Sequence, residues 1–249
     1  MKRFKHFKIR YRVDEPNFDD TPHIPDYIDW GDTPYRHHDE DLPLDAPKPL
    51  GKRIILSHYY DASLMHDVLS GKAVTGVLHF YNKTPIDWYC KKQATSETST
   101  YGSEFVASRS CIEQIIDHRN YLRYLGVEVY EISYMWGDNE SQIMSATIPH
   151  AKLHKRHQIL SFHYVRGIIS QGWINLQHLR SDKNASDPLT KHWGYQSVWK
   201  TILQPLFHHA GDTRNLTEDD ENFVDNYCSP EDLQAAIHYQ WGVTKSAKD

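Results

Sequence analysis

The stretch that decides the fold is Arg53–Cys90, RIILSHYYDASLMHDVLSGKAVTGVLHFYNKTPIDWYC. It holds three short runs rich in Ile, Leu, Val and aromatic residues. Arg53 to Tyr60 reads as a buried strand that ends at Asp61. Ala73 to Tyr81 and Ile86 to Cys90 flank Asn82-Lys83-Thr84-Pro85, whose turn chemistry joins them as a hairpin. Three consecutive antiparallel strands are expected.

Downstream the period changes. Between Thr98 and Leu125 the residues Val106, Ile112, Ile115, Ile116, Leu122 and Leu125 fall at helical spacings, and Gly126 ends the element. Val127 to Trp136 reads as one strand, Asp138 to Thr147 as a short helix, and His154 to Ile169 as a further helix stopped near Gly172. Trp173 to Leu179 alternates as a strand, and Pro188 suits the first turn of a last helix capped by Asp187. The order β-β-β-α-β-α-α-β-α implies an α/β domain, a mixed sheet flanked by helices.

Working further outward, the flanks differ from this centre. Residues 11–50 hold 11 acidic against 3 basic residues and seven of the twelve prolines, so they read as a loosely ordered N-terminal extension. Residues 201–249 form an acidic C-terminal extension, with a short helix expected at Glu231–Tyr239. The fold is therefore placed at 51–200, where 17 basic residues outnumber 13 acidic ones and permit a polyanionic partner. No apolar run nears the ~20 residues of a membrane span, and basic Met1–Arg10 lacks the apolar stretch of a signal peptide. An unexported protein without a membrane partner is expected. Cys90, Cys111 and Cys228 are odd in number and have no C-x-x-C spacing, which argues against a disulfide framework or a thiolate zinc site.

Four carboxylates lie at predicted element ends. Asp61 closes the first strand, Glu104 falls in the early turns of the long helix, Asp138 follows the fourth strand, and Asp187 opens the last helix. Phosphoryl transfer by two metals needs several carboxylates converging on one point, because hard divalent cations prefer oxygen ligands. Each acid also has a plain reading: Asp61 as a turn residue, Glu104 as a solvated helix residue, Asp138 as an N-cap completed by Gln142, and Asp187 as an N-cap before proline.

Taken jointly, these segments resemble the ribonuclease H domain at the C-terminal end of copia-type retrotransposon polyproteins. The residues carrying the resemblance are Asp61-Ala62, Thr75-Gly76, Pro85-Ile86-Asp87-Trp88 with Lys91-Lys92-Gln93, and Thr98 through Phe105. Asp138-Asn139-Glu140-Ser141, His154 through His157, Phe162 through Arg166, and Ser186 through Lys191 complete it, over roughly residues 51–200. The resemblance implies a five-stranded mixed sheet with three antiparallel strands first. It implies that Asp61, Glu104, Asp138 and Asp187 bind two Mg2+ ions, which Mn2+ can replace, with Asp61 as the bridging ligand. The activity implied is hydrolysis of the RNA strand of RNA–DNA hybrids in reverse transcription, leaving 5′-phosphate and 3′-hydroxyl ends. Lys72, Lys91 and Lys92 are candidate phosphate contacts, with solvated surface lysines as the alternative, and Asn139 either positions the hybrid or starts a helix. A reverse-transcriptase domain of the same polyprotein is a further implied partner, residues 1–50 being at most the end of that region. The implied setting is cytoplasmic or within virus-like particles.

This chain also departs from the family. Ser63-Leu64 stand where a second Asp and a Trp are common, and Gly102 replaces a glutamate two places before Glu104; the loop histidine that cellular ribonuclease H enzymes carry before the last carboxylate is also missing, since only Arg180 to Ser186 precede Asp187. A catalytically inactive or partner-dependent relic that binds nucleic acid or protein is the competing reading. His150, His154 and His157 raise a zinc alternative, although no cysteine or acid nearby completes a tetrahedral set.

Overall fold

The structure is a computed structural model. It describes residues 22–24, 28–35, 38–40, 42, 44–153 and 156–191 (His157 in its main chain only), together with the main chain of 7–9 and 207–209. In chain order the elements are β1 (Phe7–Ile9), β2 (Leu50–Ile54), β3 (Leu56–Asp67), β4 (Lys72–Tyr81), β5 (Thr84–Lys92), α1 (Thr100–Tyr124), β6 (Val127–Val129), β7 (Ser133–Gly137), α2 (Glu140–Thr147), α3 (Ile159–Ser170), β8 (Ile174–His178), α4 (Asp187–Thr190) and β9 (Phe207–His209). The expected helix at Glu231–Tyr239 lies outside the described residues. Among those described, no helix is long and apolar enough to cross a membrane.

Five strands form the main sheet in the order β5-β4-β3-β7-β8. The β3–β4 and β4–β5 pairs are antiparallel, whereas β3–β7 and β7–β8 are parallel. This is the mixed sheet with three antiparallel strands first that the sequence implies. Asn82 turns β4 into β5 at φ 54°, a left-handed conformation that Asn tolerates, and its Oδ1 accepts from Ile55 N at 2.9 Å.

Two expected strands divide, and the helix expected over His154–Ile169 begins at Ile159, preceded by a 3-10 turn at Arg156–Gln158. The run Arg53–Tyr60 divides at Ile55, and its second part continues as β3 to Asp67, so Asp61 sits inside the central strand opposite Gly76 instead of closing a strand. Val127–Trp136 also divides: β6 pairs in parallel with β2 in a separate two-stranded sheet, and β7 enters the main sheet. Both splits follow hydrogen-bond partners far along the chain, which a local alternation of apolar residues does not specify.

The long helix α1 forms as its apolar spacing predicts. Ser99 caps it by accepting from Gly102 N, and Gly126, at φ 70°, turns the chain away after Leu125. Its buried face carries Phe105, Ala107, Cys111, Ile112 and Ile115 against Tyr60, Val77 and Met135 of the sheet, with Phe162, Val165 and Ile169 of α3 closing the same core. Leu125, counted on that face from its spacing, is exposed beyond the helix end. A smaller cluster of Leu78 and Phe80, with Tyr59, Ala185 and Leu189, covers the opposite face.

Candidate metal and nuclease site

Asp61 lies on the face of β3 opposite to its buried neighbours Tyr60 and Ala62, beneath the segment that leads into α4. That segment can approach because Gly76 is its cross-strand partner: a Cβ on Gly76 would meet Thr190 Cγ2 at 2.6 Å, Leu189 Cβ at 2.9 Å and the Ser186 carbonyl at 3.2 Å. Asn184 fastens the same segment. Its Nδ2 donates to the Tyr60 carbonyl at 2.9 Å, while its Oδ1 accepts from Ser186 N and Ser186 Oγ at 3.1 and 2.8 Å.

Glu104 reaches the site from the first turns of α1, and its Oε1 accepts from Ala62 N at 3.2 Å. Asp138 follows β7 directly. The capping of α2, open to Asp138 from the sequence, belongs to Asn139, whose Oδ1 accepts from Gln142 N at 3.0 Å. Asp138 is left at the end of its strand. Gln142 also accepts from Tyr60 Oη at 2.6 Å, which ties α2 to β3.

One oxygen each of Asp61, Glu104 and Asp138 lies within 4.8 Å of the others. Asp61 is 2% and Glu104 3% exposed. Asp187, also buried, is not in this group of three: its Oδ1 accepts from Lys191 Nζ, and Thr190 Oγ1, on the same short helix, donates to Asp61 Oδ2. Asp187 is the first residue of α4 and Ser186 its cap, one place earlier than expected, with Pro188 still in the opening turn.

Burial pushes the Asp61 carboxyl up to about 6, and the neighbouring Asp138 and Asp187 add to this while Thr190 and Lys191 oppose it. Glu104 is driven well above the carboxylate range by burial and then by Asp61 and Asp138. Burial raises Asp187 too, against the hydrogen bond from Lys191. Burial alone would lower Lys191, but its bond to Asp187 and the surrounding acids raise it. Packed carboxylates with raised affinity for protons are equally suited to a multivalent cation, which removes their mutual repulsion. Glu104 Oε2 is buried without a hydrogen-bond partner, an oxygen of the kind a hard divalent ion requires. The donor set therefore fits a hard divalent cation.

The other candidates divide. Lys91 is exposed on the edge strand β5, and Lys72 begins β4. Lys92 is engaged with Asp67 at 2.5 Å while keeping its side chain half exposed. Of the histidines proposed for zinc, His154 and the His157 side chain lie outside the described residues. Gly102 is explained by space, since a Cβ there would run into Gln158 and Glu97, which bond to each other at 2.7 Å. At Ser63-Leu64 the β3–β4 register shifts and Met65 takes φ 52°, so the chain bends just past Asp61. Sequence reasoning missed Asn184 altogether and gave Thr190 and Lys191 no role. Their presence in the Ser186–Lys191 motif was the only signal.

A sheet ordered β5-β4-β3-β7-β8, three of its strands antiparallel, with carboxylates from β3, α1 and the end of β7 converging beside α4, is the arrangement that the resemblance to ribonuclease H domains implies. At the level of aligned residues the chain is similar to retrovirus-related Pol polyproteins of plant transposons. It is 25% identical over 142 residues to that of transposon TNT 1-94 from Nicotiana tabacum and 22% identical over 141 residues to that of transposon RE2 from Arabidopsis thaliana. Each alignment takes in 57% of this chain and 10% of the relative, so the chain spans about a tenth of the length of these curated relatives. No family model matches. Among solved structures it resembles the N-terminal RNase H domain of rv2228c from Mycobacterium tuberculosis, with TM-score 0.43 and 12% identity over 55% of this chain and 91% of that one. It also resembles LC11-RNase H1, solved in complex with an RNA/DNA hybrid, with TM-score 0.43 and 17% identity over 54% and 92%.

Proposed function

We propose that this chain is a divalent-metal-dependent endonuclease that hydrolyses the RNA strand of RNA–DNA hybrids, as a domain serving reverse transcription of a retrotransposon. The observation that carries the reading is the approach of Asp61, Glu104 and Asp138 oxygens to within 4.8 Å of one another on three separate elements. A structural role would leave such acids paired or solvated, because burying unpaired carboxylates costs several kcal/mol. The similarity to Pol polyproteins supplies the substrate class, since reverse transcription makes RNA–DNA hybrids.

Asp61, Glu104, Asp138 and Asp187 would hold two Mg2+ ions. Bound divalent ions supply Lewis acidity for activating water and for stabilising the departing 3′-oxygen. The chain's own residues set the geometry. Asp61 is fixed by the central strand and the Thr190 hydroxyl, Glu104 by the Ala62 amide, and Asp187 by Lys191. Lys72, Lys91 and Lys92 would hold phosphates and make affinity salt-dependent. With its Oδ1 engaged in the α2 cap, Asn139 would offer the hybrid the donors of its Nδ2.

The test is cleavage of labelled RNA–DNA hybrid beside single-stranded and double-stranded RNA, in Mg2+ or EDTA, with Asp138→Asn in parallel. Cutting confined to the hybrid, dependent on Mg2+ and lost in Asp138→Asn with the fold retained, is the expected result. Hybrid binding without cutting by a folded wild-type chain would favour the inactive or partner-dependent reading. Full activity of Asp138→Asn would remove the metal assignment.

A further inference from the structure

The acidic segment before the sheet touches the fold at three described places. Pro22 offers its carbonyl to Asn175 Nδ2 at 2.9 Å on the edge strand β8. Trp30 and Tyr35 stack on the Arg166 guanidinium at 4.9 and 5.1 Å from their ring centroids, and Tyr35 Oη accepts from Arg166 Nε at 3.1 Å while meeting His163 Nδ1 at 2.7 Å. Glu40 receives Arg119 through both oxygens, at 2.9 and 2.7 Å, and Arg123 as well.

The two arginines at the heart of these contacts are 1% and 2% exposed, and they turn their other donors on main-chain carbonyls and, from Arg119, on the Ser133 hydroxyl. Arg119 donates to Tyr130 O at 3.2 Å, Glu131 O at 3.0 Å and Ser133 Oγ at 2.9 Å, which is the lead-in to β7. Arg166 donates to Ser145 O at 2.6 Å, Ile148 O at 2.8 Å and Pro149 O at 2.5 Å, which is the end of α2. Between these two anchored points lies a single unit, β7 and α2, with Asp138 at its bend.

We infer that Trp30, Tyr35 and Glu40 act as a positioning strap: by engaging Arg119 and Arg166 they hold both ends of the β7–α2 unit and so fix the Asp138 carboxylate toward Asp61 and Glu104. Glu40, Trp30 and Tyr35 are then positioning residues, remote from the reacting atoms. The physical basis is that a guanidinium buried without a counter-charge or ring face turns toward water, and the carbonyls it held are released with it. Supports of this kind behind a metal ligand govern affinity through ligand placement. The inference rests on the function proposed above, since it assigns the strap to that site.

The test uses the full chain with Glu40→Ala, the shape-conserving Glu40→Gln, and Trp30→Ala, which loosens the Arg166 end and covers the case in which Glu40→Ala does not fold. Three quantities are read: amide hydrogen exchange by segment, Mn2+ affinity without substrate, and kcat against KM on the hybrid. Expected are faster exchange confined to 130–149 with β3–β5 unchanged, Mn2+ affinity weakened about 10-fold, and a fall in kcat at constant KM, with Glu40→Gln intermediate. Exchange raised evenly over the domain, or Mn2+ affinity at the wild-type level in a variant whose 130–149 segment has loosened, would overturn the strap. A wild-type chain that binds no Mn2+ would instead remove the functional reading itself, so the two failures are distinct.

Discussion

Asp61 concentrates the chemistry of single residues in this protein. Its carboxyl, pushed up to about 6 by burial, stands above the ordinary aspartate value near 3.8. A folded-state pKa raised above the unfolded one stabilises the fold at low pH, and that contribution disappears as pH rises from about 4 through 6. The penalty at neutral pH is about 3 kcal/mol for a shift of this size. A divalent ion that satisfies the carboxylate restores it by binding the folded state alone. Mg2+ is therefore expected to raise the melting temperature more at pH 7.5 than at pH 5, each measured against EDTA, and an equal rise at both values would contradict the coupling. The four acids were legible as candidates from their places in the sequence. The supports from Thr190 and Asn184 were not, because these residues acquire roles only through contacts across some 125 residues of chain.

Among the elements, α4 depends most on what lies beneath it. It is only four residues long, and its own hydrogen bonds cannot sustain it. It stays because Gly76 leaves room for Thr190 and Leu189, Asn184 pins its approach to β3, and Cys90 Sγ donates to the Leu189 carbonyl at 2.9 Å. Gly76→Ala places a methyl where Leu189 Cβ would stand 2.9 Å away, so α4 must shift. A loss of about 1–3 kcal/mol is expected, the usual cost of overpacking. Hybrid cleavage should fall more steeply than stability, because Thr190 and Asp187 move with the helix; denaturant titration beside a cleavage assay measures both. The sequence marked Gly76 only as part of a family motif, and the close approach that requires it comes from an element more than a hundred residues away.

Across the whole molecule, a buried histidine cluster is expected to set an acid limit to stability. His58 and His79 are cross-strand partners on β3 and β4, with Nδ1 atoms 2.7 Å apart, and His118 of α1 lies over His79 at 4.4 Å between ring centroids. His79 is also bonded to Gln114, and His118 to Tyr81, with Asp87 at 3.5 Å. Burial lowers all three, His58 furthest, with the other imidazoles and Arg119 adding to it, and His79 to about 4. Groups with a folded pKa below the unfolded value near 6.5 give full stability above that pH and lose it as pH falls toward 4. The melting temperature in saturating Mg2+ should therefore drop steeply between pH 6.5 and 4, and His79→Leu should flatten the drop. An unchanged slope in that variant would dissociate the cluster from the acid limit.

Local sequence specified the three leading antiparallel strands, the long helix with its Gly126 stop and the α/β order, because alternation, helical spacing and turn chemistry are local properties of the chain, and it offered the four carboxylates as candidates. Only the tertiary structure decided that Arg53–Tyr60 and Val127–Trp136 each divide between two sheets, that Asn139 takes the cap and leaves Asp138 exposed to the site, and that part of the acidic N-terminal segment is tied to two buried arginines. Partner strands, close backbone approaches and buried counter-charges are contacts between residues distant along the chain, and no local pattern encodes which distant residue will answer.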